Sequence, residues 1–279
     1  MIGVFVNTKS GKGEAVKITA LIKDNLSFKN IPFTIYEDDN WPVHTQNLSE
    51  AWIVGGDGTL NYFINKYREI LIPLAIFKGG TGNDVAWKLY GNLTTQQQIA
   101  LVLSTNPKQI DAAMCNDKLF INGVGIGFDG EVLKSMSAIR WLGGHIGYLL
   151  VVIKKIFSFK EFSFTIQSSQ INKTEKYLLV NIANASRTGG GFYISPLADV
   201  ADGKLNVVLC KPLSVLKRLK YLPVIEKGKH LSLPFVTHQL VEEIKIEMPT
   251  SVFAQLDGEL IEAKSFSIKI LKQKFSFKC

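Results

Sequence analysis

Cysteine and histidine are scarce in this chain, and their scarcity argues against two kinds of architecture. The 279 residues include four histidines and three cysteines, Cys115, Cys210 and Cys279. The cysteines lack the spacing of a metal site, and their odd number argues against a disulfide framework. The sequence therefore predicts a reduced, cytoplasmic compartment.

Long apolar runs are also missing. The most apolar run, residues 148–153, ends at Lys154 and Lys155 and is far shorter than the ~20 residues of a membrane-spanning helix. No basic segment followed by a long apolar stretch opens the sequence, so no signal peptide is expected. If the protein meets lipid, we expect it to do so from the water side, as a peripheral protein at the inner membrane surface.

Acidic residues are outnumbered by basic ones. Lys and Arg total 32 against 24 Asp and Glu, which gives a net charge of +8. Such a chain attracts nucleic acid, nucleotides or an anionic membrane surface, although a solvated basic surface gives the same count. No nucleic-acid-binding motif is present, so no nucleic-acid partner is expected. The composition leaves open whether the chain forms a homodimer.

Strand and helix patterns alternate in the first part of the chain. Short apolar runs predict strands at residues 2–6, 33–36, 51–54 and 73–77. Glycine-rich turns follow the third and fourth runs, and helices are expected to begin near Thr59 and Asp84. This order of strand, glycine loop and helix predicts βαβ units and a mostly parallel sheet.

The pattern changes after about Asp111. Apolar and polar residues alternate at 162–166, 244–248 and 266–270, which predicts an antiparallel sheet with one solvated face. We therefore predict an α/β domain over residues 1–113 and a β-rich, sandwich-like domain over residues 114–279. The last segment of the chain is expected to return to the first domain.

The glycine loop at residues 55–59 carries the strongest chemical signal. Glycines let a backbone approach phosphate oxygens, and the N–H groups at the start of the following helix point at the anion. Asp57 would repel a phosphate unless a cation lay between them, so the loop indicates Mg²⁺. The alternative is an ordinary glycine turn in which Asp57 is a helix N-cap.

Two further loops share this chemistry, and all three are expected at the carboxyl edge of the sheet. Residues 79–84 read Gly-Gly-Thr-Gly-Asn-Asp, in which Asp84 lies either near the cation or at a helix cap. Residues 7–13 carry Asn7, Ser10 and two glycines but lack the ending of a Walker A loop. This first loop is the weakest signal by itself.

Together these loops resemble the diacylglycerol kinase catalytic family, which includes sphingosine kinases and soluble bacterial lipid kinases. Residues 55–59 read GGDGT and residues 80–84 read GTGND, as in that family. Residues 7–11 are similar to its Asn-Pro-x-Ser-Gly loop, residues 189–191 to its glycine triplet, and residues 257–259 to its DGE motif. The matches occur in order over nearly the whole chain.

The resemblance implies an α/β nucleotide-binding domain of the NAD kinase/diacylglycerol kinase-like type, followed by a β-rich lipid-substrate domain. It also implies that the loops bind ATP together with Mg²⁺. The implied nucleotide contacts are Asn7, Thr8, Lys9, Ser10, Gly11, Gly55, Gly56, Asp57, Gly58, Thr59, Leu60, Asn61, Gly80, Thr81, Gly82 and Asn83.

Two metal sites are implied as well. Asp57 and Asp84 are expected to organise the catalytic Mg²⁺ through water, and Asp111 is expected to belong to the same acidic network. A second, structural ion is expected on the side chain of Asp202 and the carbonyls of Asp199 and Lys204. The alternatives are a structural role for Asp111 and a simple Asp-Gly turn at Asp202.

The chain departs from the family pattern at two points. Thr8 replaces the usual Pro, so we expect a looser first loop. Residues 37–40 read Glu-Asp-Asp-Asn where the family often has a Thr that faces the nucleotide, so no contact is carried over there. The extra negative charge is expected to weaken ATP binding or to shift the adenine.

Asp257 and Glu259 are the candidate bases. Phosphoryl transfer needs positioning, charge neutralisation and a route for the hydroxyl proton, and a nearby carboxylate supplies that route. The two acids flank a glycine at a predicted turn, so both are expected to face one site. The sequence does not distinguish them, and a turn with solvated acids is the alternative. Asp57 is the third predicted catalytic residue.

Two segments combine apolar and basic residues, which suits contact with anionic headgroups. One is residues 141–157, flanked or interrupted by Arg140, Lys154 and Lys155. The other is a helical segment that carries Lys217, Arg218, Lys220, Lys227 and Lys229. The alternative for each is a core-facing helix with a solvated basic face.

The sequence therefore predicts an ATP-dependent lipid kinase that phosphorylates the hydroxyl of diacylglycerol or a related lipid alcohol. An NAD-kinase-like enzyme with a soluble substrate shares the GGDGT loop, but the Asn-Glu pair expected after the second loop is missing. A non-catalytic nucleotide-binding module is a further alternative. Its weakness is that binding alone would not need Asp57, Asp84, Asp257 and Glu259.

Overall fold

The chain divides into two units along its length. The computed structural model describes residues 1–137 and 144–279. The first unit comprises Met1–Ile110 and Gln273–Cys279, and the second comprises Asp111–Lys272. The structure divides the chain after Ile110, whereas the predicted domain boundary follows residue 113.

A parallel sheet with its helices forms the first unit. Its elements are β1 (Ile2–Val6), α1 (Glu14–Phe28), β2 (Phe33–Glu37), β3 (Glu50–Gly55), α2 (Asp57–Lys66), β4 (Leu74–Lys78), α3 (Asp84–Tyr90) and α4 (Thr95–Ser104). The strands pair in the order β2-β1-β3-β4, and every pair is parallel. β1, β3 and β4 are buried almost throughout, as expected of parallel strands with both faces covered. The predicted strands and helix starts are confirmed.

Aromatic packing anchors α2 on this sheet. The ring of Phe63, on α2, lies 4.9 Å from that of Phe5, on β1, and 5.8 Å from that of Trp41. Phe5 and Phe63 are fully buried. Rings at these separations gain from edge-to-face contact as well as from burial. This contact holds α2, whose first residue is Asp57, against the sheet.

The second unit is rich in antiparallel strands. Its elements are β5 (Lys108–Cys115), β6 (Lys118–Phe120), β7 (Gly123–Gly127), α5 (Phe128–Ser137), α6 (Gly144–Ser158), β8 (Phe162–Gln167), β9 (Asn172–Tyr177), β10 (Leu179–Ala183), β11 (Leu205–Cys210), α7 (Val215–Glu226), β12 (Val236–Val241), β13 (Glu243–Leu256) and β14 (Glu259–Phe277). β5 begins, and β14 ends, in the first unit.

Antiparallel pairing links most of these strands. They follow the order β12-β11-β10-β7-β13-β14, and β8 pairs with both β13 and β9. An α/β unit followed by a β-rich unit is the predicted fold class, which is confirmed. The return of the chain is visible at Phe277, which pairs in parallel with Leu74 of β4.

Both faces of β10 are buried, which explains why it is apolar except at Asn181. Val180 and Ile182 belong to the main core cluster of the second unit. Leu179 points into a separate cluster with Phe192, Cys210 and nearby helical residues. Alternate residues of a strand face opposite sides of a sheet, so this strand divides two apolar regions.

The structure also bears on membrane insertion. Within residues 1–137 and 144–279, none of the helices combines the length and apolar character that crossing a bilayer requires.

Candidate active site

The three glycine loops meet at the carboxyl ends of β1, β3 and β4. A Cβ on Gly80 would overlap the Cα of Gly56, and a Cβ on Gly11 would overlap the carbonyl of Gly79. Only glycine lets the backbones approach this closely. The sheet therefore brings the first loop together with two loops that lie more than forty residues further along the sequence.

Side-chain amides hold the loops in place. Asn7 Nδ2 donates to Thr59 Oγ1 at 3.1 Å, which joins the first loop to the second. Asn83 Oδ1 accepts from the N–H of Gly80 at 2.8 Å, and Asn83 Nδ2 donates to the carbonyl of Gly80 at 2.8 Å. Asn83 has a φ of +53°, a left-handed conformation that asparagine tolerates better than most residues. These asparagines organise the loops that the sequence predicts to bind nucleotide.

The start of α2 is open. Its N-cap is Gly56, which has no side chain to cap the helix, so the first N–H groups keep their capacity to bind an anion. The helix dipole also favours negative charge at this end. Among the predicted nucleotide contacts, Lys9 and Thr81 have exposed side chains. The arrangement suits a polyphosphate.

Asp57 joins α2 to the next loop. Its carboxylate accepts the N–H of Asp84 at 3.1 Å and the N–H of Val85 at 3.0 Å. Burial raises the pKa of the Asp57 carboxyl, and the N–H groups of Val85 and Asp84 oppose that rise. Asp57 therefore caps α3 rather than its own helix, a placement that the N-cap alternative did not foresee.

The carboxylates of Asp57 and Asp84 form a donor set that suits Mg²⁺. Mg²⁺ is held by one or two carboxylates together with water and substrate phosphates rather than by an all-protein cage. Asp84 is buried at the start of α3, whose N–H groups Asp57 accepts. Within the described ranges, no group of three or more His, Cys, Asp or Glu side chains is arranged to hold a metal ion.

Two of the predicted nucleotide contacts, Leu60 and Asn61, are buried and make other contacts within the first unit. Leu60 is buried in the core, and its N–H donates to the carbonyl of Gly56 at 3.1 Å. Neither its side chain nor its N–H is available to a ligand, so the prediction of a contact at Leu60 is wrong. Asn61 is also buried, and its side-chain oxygen lies 3.3 Å from Asn65 Nδ2.

The first loop has a support that the sequence did not reveal. Asp38 accepts two hydrogen bonds from Thr8, so the expectation that Thr8 loosens the loop is wrong. The acidic stretch after β2, from which no contact was carried over, supplies the anchor. The sequence signal for this anchor was an acidic residue directly after β2. β2 lies next to β1, and adjacent parallel strands end side by side, so such an acid lies near the first loop.

Asp257 and Glu259 have different surroundings. Asp257 lies in the two-residue β13–β14 turn, and Glu259 is the first residue of β14. Asp257 and Gly258 have φ values of +47° and +85°, as in a type I′ hairpin. Asp257 is buried, and its carboxylate accepts the N–H groups of Ile121, Asn122 and Gly123 at 2.8 to 2.9 Å. Glu259 is exposed. The expectation that both acids face one site is wrong, because the first carboxylate is enclosed by backbone donors.

The acids predicted to hold a structural ion lie around one turn. Asp202 Oδ1 accepts the N–H of Lys204 at 2.9 Å, and Asp199 Oδ1 accepts the N–H of Ala201 at 3.0 Å. Asp111, which was predicted to belong to the acidic network of the catalytic Mg²⁺, also lies at this turn, where its Oδ2 accepts the N–H of Gly203 at 2.7 Å. Burial raises the pKa of Asp202, and the nearby Asp199 and Asp111 carboxylates add to the rise. The ion itself stays a prediction.

Two residues predicted to contact membrane headgroups are engaged inside the second unit. Lys155 forms a 2.7 Å ion pair with Glu131. Arg218 is buried and donates to the carbonyls of Leu213, Ile156 and Phe159. Its guanidinium also forms a 2.5 Å ion pair with Glu161. The prediction of headgroup contact at Arg218 is therefore wrong, while Arg140 and Trp141 lie outside the described residues.

An apolar cavity in the second unit contains a further functional candidate. More than half of its lining residues lie on α6, α7, β10 and β11. Asp129 is a polar exception in this lining. Sequence reasoning missed Asp129, although the alternating glycines of β7 directly before it indicate a close approach at this point.

Two family descriptions match the chain. Residues 1–115 match the diacylglycerol kinase catalytic domain. Residues 122–276 match the YegS C-terminal NAD kinase beta sandwich-like domain. Together they cover nearly all of both units.

Individual relatives agree with this match. The chain is 25% identical over 237 residues to a protein of Shewanella frigidimarina named "Probable lipid kinase YegS-like", covering 83% of this chain and 76% of the relative. It is 28% identical over 219 residues to a diacylglycerol kinase of Mycobacterium tuberculosis, covering 74% of this chain and 69% of the relative.

Solved structures show the same fold. A diacylglycerol kinase from Bacillus anthracis superposes with a TM-score of 0.74 at 20% identity, covering 99% of this chain and 95% of that one. An NAD kinase from Archaeoglobus fulgidus in complex with ATP superposes with a TM-score of 0.58 at 12% identity, covering 100% and 94%.

Proposed function

The chain belongs to the family of diacylglycerol kinase catalytic domains with a YegS-type C-terminal domain, and from this premise we propose that it transfers the γ-phosphoryl group of ATP to the hydroxyl of diacylglycerol or a related lipid alcohol. One observation carries the proposal. Three glycine loops converge at the open N-terminus of α2, beside the Asp57 carboxylate. Backbone N–H groups at such a convergence suit the phosphates of a nucleotide.

The first unit supplies the nucleotide site in this proposal. The backbone of the loops at Gly11, Gly56 and Gly80 accommodates the phosphate chain, and Asn7 and Asn83 hold those loops in position. ATP is the nucleotide because phosphoryl transfer is the family's reaction and the NAD kinase neighbour was solved with ATP. When bound, Mg²⁺ would neutralise phosphate charge, held by Asp57 and Asp84.

The transfer itself exchanges one P–O bond for another. The oxygen of the lipid hydroxyl attacks the γ-phosphorus, the bond to ADP breaks, and the hydroxyl proton passes to a carboxylate. Asp257 and Glu259 are the predicted acceptors of that proton. Asp257 also holds the backbone of residues 121–123, and Glu259 keeps its carboxylate exposed.

The second unit supplies the lipid-binding surface. Its apolar cavity suits hydrocarbon, and a soluble acceptor such as NAD would gain nothing from such walls. Peripheral contact with an anionic membrane fits the exposed apolar side chains of Leu150 and Phe157 on α6 and Leu216 on α7. Exposed Lys154, Lys217 and Lys220 lie on the same helices.

An acceptor panel tests the proposal. The protein is incubated with labelled ATP, Mg²⁺ and, separately, diacylglycerol, a sphingoid base, other lipid alcohols and NAD. We expect label to enter a lipid alcohol and not NAD. Label in NAD alone would identify a soluble-substrate kinase, and nucleotide binding with no transfer to any acceptor would identify a non-catalytic module.

A further inference from the structure

Lys78 lies at the carboxyl edge of the parallel sheet, where ligands of such sheets bind. It is the last residue of β4, directly precedes the second glycine loop and is half-buried. Its ammonium donates to the backbone carbonyl of Gly91 and, at 3.5 Å, to that of Leu93. Both carbonyls directly follow α3, so the lysine caps the C-terminal end of that helix.

Asp57 holds the opposite end of the same helix. Its carboxylate accepts the N–H groups of Asp84 and Val85, the first two residues of α3. A negative charge at the start of a helix and a positive charge at its end both interact favourably with the helix dipole. Gly55 of β3 pairs with Lys78 of β4, so the two charged residues leave the sheet at neighbouring strand ends. Together they tie α3 to the sheet at both ends.

α3 is a short helix that depends on its surroundings. It has seven residues, fewer than the ~12–15 that make a helix stable by itself in water. Asn83 before it and Gly91 after it have φ values of +53° and +57°, so the helix does not continue past either one. Asp84, its first residue, is buried. A shift of α3 would therefore move the Asp84 carboxylate together with the N–H groups that orient Asp57.

The lysine acts on the helix and not directly on the acids. An α-helix of seven residues is about 10 Å long, so the ammonium at its end lies roughly that far from Asp84 at its start. An ammonium at this distance does not touch a cation held by the carboxylates of Asp84 and Asp57. Any effect of Lys78 on such a cation is exerted through the position of α3.

We propose that Lys78 is a positioning residue for the divalent cation: by capping α3, it fixes where the Asp84 carboxylate lies relative to that of Asp57. Without the ammonium, the carbonyls of Gly91 and Leu93 lose this donor and the end of α3 is free to shift. The identity of the cation and its nucleotide rests on the proposed kinase function. The hold of Lys78 on α3 rests on its own hydrogen bonds.

Amide hydrogen exchange of the full chain, without ligand, tests the hold on α3. Lys78→Met removes the ammonium and keeps an unbranched side chain, so the amides of residues 84–90 should exchange at least about fivefold faster. Lys78→Arg should restore the wild-type rate, because its guanidinium can donate to the same carbonyls. Unchanged exchange in Lys78→Met would overturn the hold.

Calorimetric titration of ADP into the full chain tests the link to the cation. The two probes are ADP with Mg²⁺ and ADP with EDTA. We expect Lys78→Met to weaken binding of the first about tenfold and of the second less than about twofold, because the amides of the glycine loops are unchanged. Lys78→Arg should bind both probes like the wild type. Equal weakening of both would overturn the positioning role, since the lysine would then serve the phosphates or the whole fold.

Two further variants complete the test. A Cβ on Gly91 would meet no atom of the described part of the chain, so Gly91→Ala acts only through its positive φ. It displaces the carbonyl that Lys78 caps and should weaken Mg²⁺–ADP in the same direction, which keeps the test open if Lys78→Met does not fold. Lys66→Met removes an exposed charge from the last turn of α2 and should change neither probe. A folded Lys78→Met protein that binds both probes like the wild type would overturn the proposal.

The kinase assay separates this inference from the proposed function. If Mg²⁺–ADP binding depends on Lys78 but no lipid gains phosphate, the positioning role stands and the kinase proposal fails. If lipid gains phosphate and Lys78→Met needs no more Mg²⁺ than the wild type, the kinase proposal stands and the positioning role fails.

Discussion

Thr8 donates two hydrogen bonds to the carboxylate of Asp38, from its backbone N–H at 2.9 Å and from its hydroxyl at 2.5 Å. The hydroxyl bond is the largest cause of a lowered pKa at Asp38. Asp38 has a φ of +47°, which is unfavourable for most residues other than glycine. Thr8 and Asp38, which both differ from the family pattern, are thus hydrogen-bond partners. The Asp38 carboxylate holds the first glycine loop at the position where the family has a proline.

This pair is predicted to matter for ATP rather than for lipid. Thr8→Val and Asp38→Ala remove charge-assisted hydrogen bonds that hold the loop, so each should raise the KM for ATP by about tenfold. The KM for lipid should not change. Steady-state kinetics with each substrate varied in turn provides the measurement.

Asp39→Ala is the matched control for charge, because Asp39 is an exposed acid next to Asp38. If the acids acted only by repelling phosphate, both alanine variants would lower the KM for ATP. A lower KM in Asp38→Ala would therefore contradict the positioning role.

Asp257 and Glu259 are expected to differ in stability as well as in activity. Asp257→Asn leaves at least one of the three N–H groups at residues 121–123 without a carboxylate acceptor, which costs about 1–3 kcal/mol. Glu259→Gln alters an exposed side chain and should leave the midpoint of thermal unfolding unchanged. Removing the base should lower kcat by about 100-fold or more.

Calorimetry and kcat on the same purified variants separate these effects. A variant that loses turnover at unchanged stability identifies the base, and a variant that loses both identifies the carboxylate that holds the backbone. Full activity in both variants would show that neither acid takes the proton.

Asp129 makes the stability of the protein depend on pH. Burial raises the pKa of its carboxyl from 3.8 to about 6. A raised carboxyl pKa in the folded state costs stability above the unfolded pKa, and the cost grows until the pH exceeds the folded pKa. It should reach about 3 kcal/mol by pH 8 and vanish below pH 4.

Asp129→Asn removes this cost, so it should be more stable than the wild type at pH 8 and equal to it near pH 4. Denaturant unfolding at a series of pH values gives the difference in the free energy of unfolding. Arg218, the other charged group that the described residues contribute to the cavity lining, is already paired with Glu161 and does not offset the charge of Asp129. A difference that is the same at every pH would contradict the burial of an ionised carboxylate here.

The lysines of α7 are predicted to contribute to membrane binding. Lys217 and Lys220 are exposed, and a basic residue near an anionic surface contributes about 1 kcal/mol. Replacing both with Glu should weaken binding to vesicles that contain anionic lipid by more than about tenfold at low salt, and the difference should shrink as salt rises. Sedimentation of protein with vesicles measures this.

Lys173→Glu with Lys176→Glu is the matched charge change on β9, where both lysines are exposed. An equal loss of binding in this control would indicate a general effect of net charge. No loss in the α7 variant would place the membrane contact elsewhere.

The meeting of the glycine loops could be predicted from the sequence, because adjacent parallel strands end at one edge of a sheet. The different surroundings of Asp257 and Glu259 could not be predicted from the sequence. Their surroundings depend on which residues of β13 and β14 pair, and a type I′ turn turns one acid inward and leaves the other in solvent. A one-residue change in register would move every side chain of a strand to the opposite face of the sheet.

Arg218 and the hydrogen bond between Asp129 and Asn181 show a second limit. A basic residue on an amphipathic helix is expected to be solvated, and only the arrangement of nearby carbonyls and Glu161 explains its burial. The neighbourhood of Asp129 and Asn181 follows from the β7–β10 register and from the glycine at Gly125, over a separation of 52 residues (181 minus 129). Local pattern carries no information about such a contact.

Phosphoryl transfer from ATP to diacylglycerol by the wild type and by Asp57→Asn tests the central claim most directly. The neutral amide of the variant could no longer accept both N–H groups of α3 or supply a negative charge toward the phosphates, so kcat/KM for ATP should fall by about 100-fold or more. Thermal unfolding of the same samples must show that the variant is folded. A folded Asp57→Asn protein that phosphorylates lipid at the rate of the wild type would contradict the account.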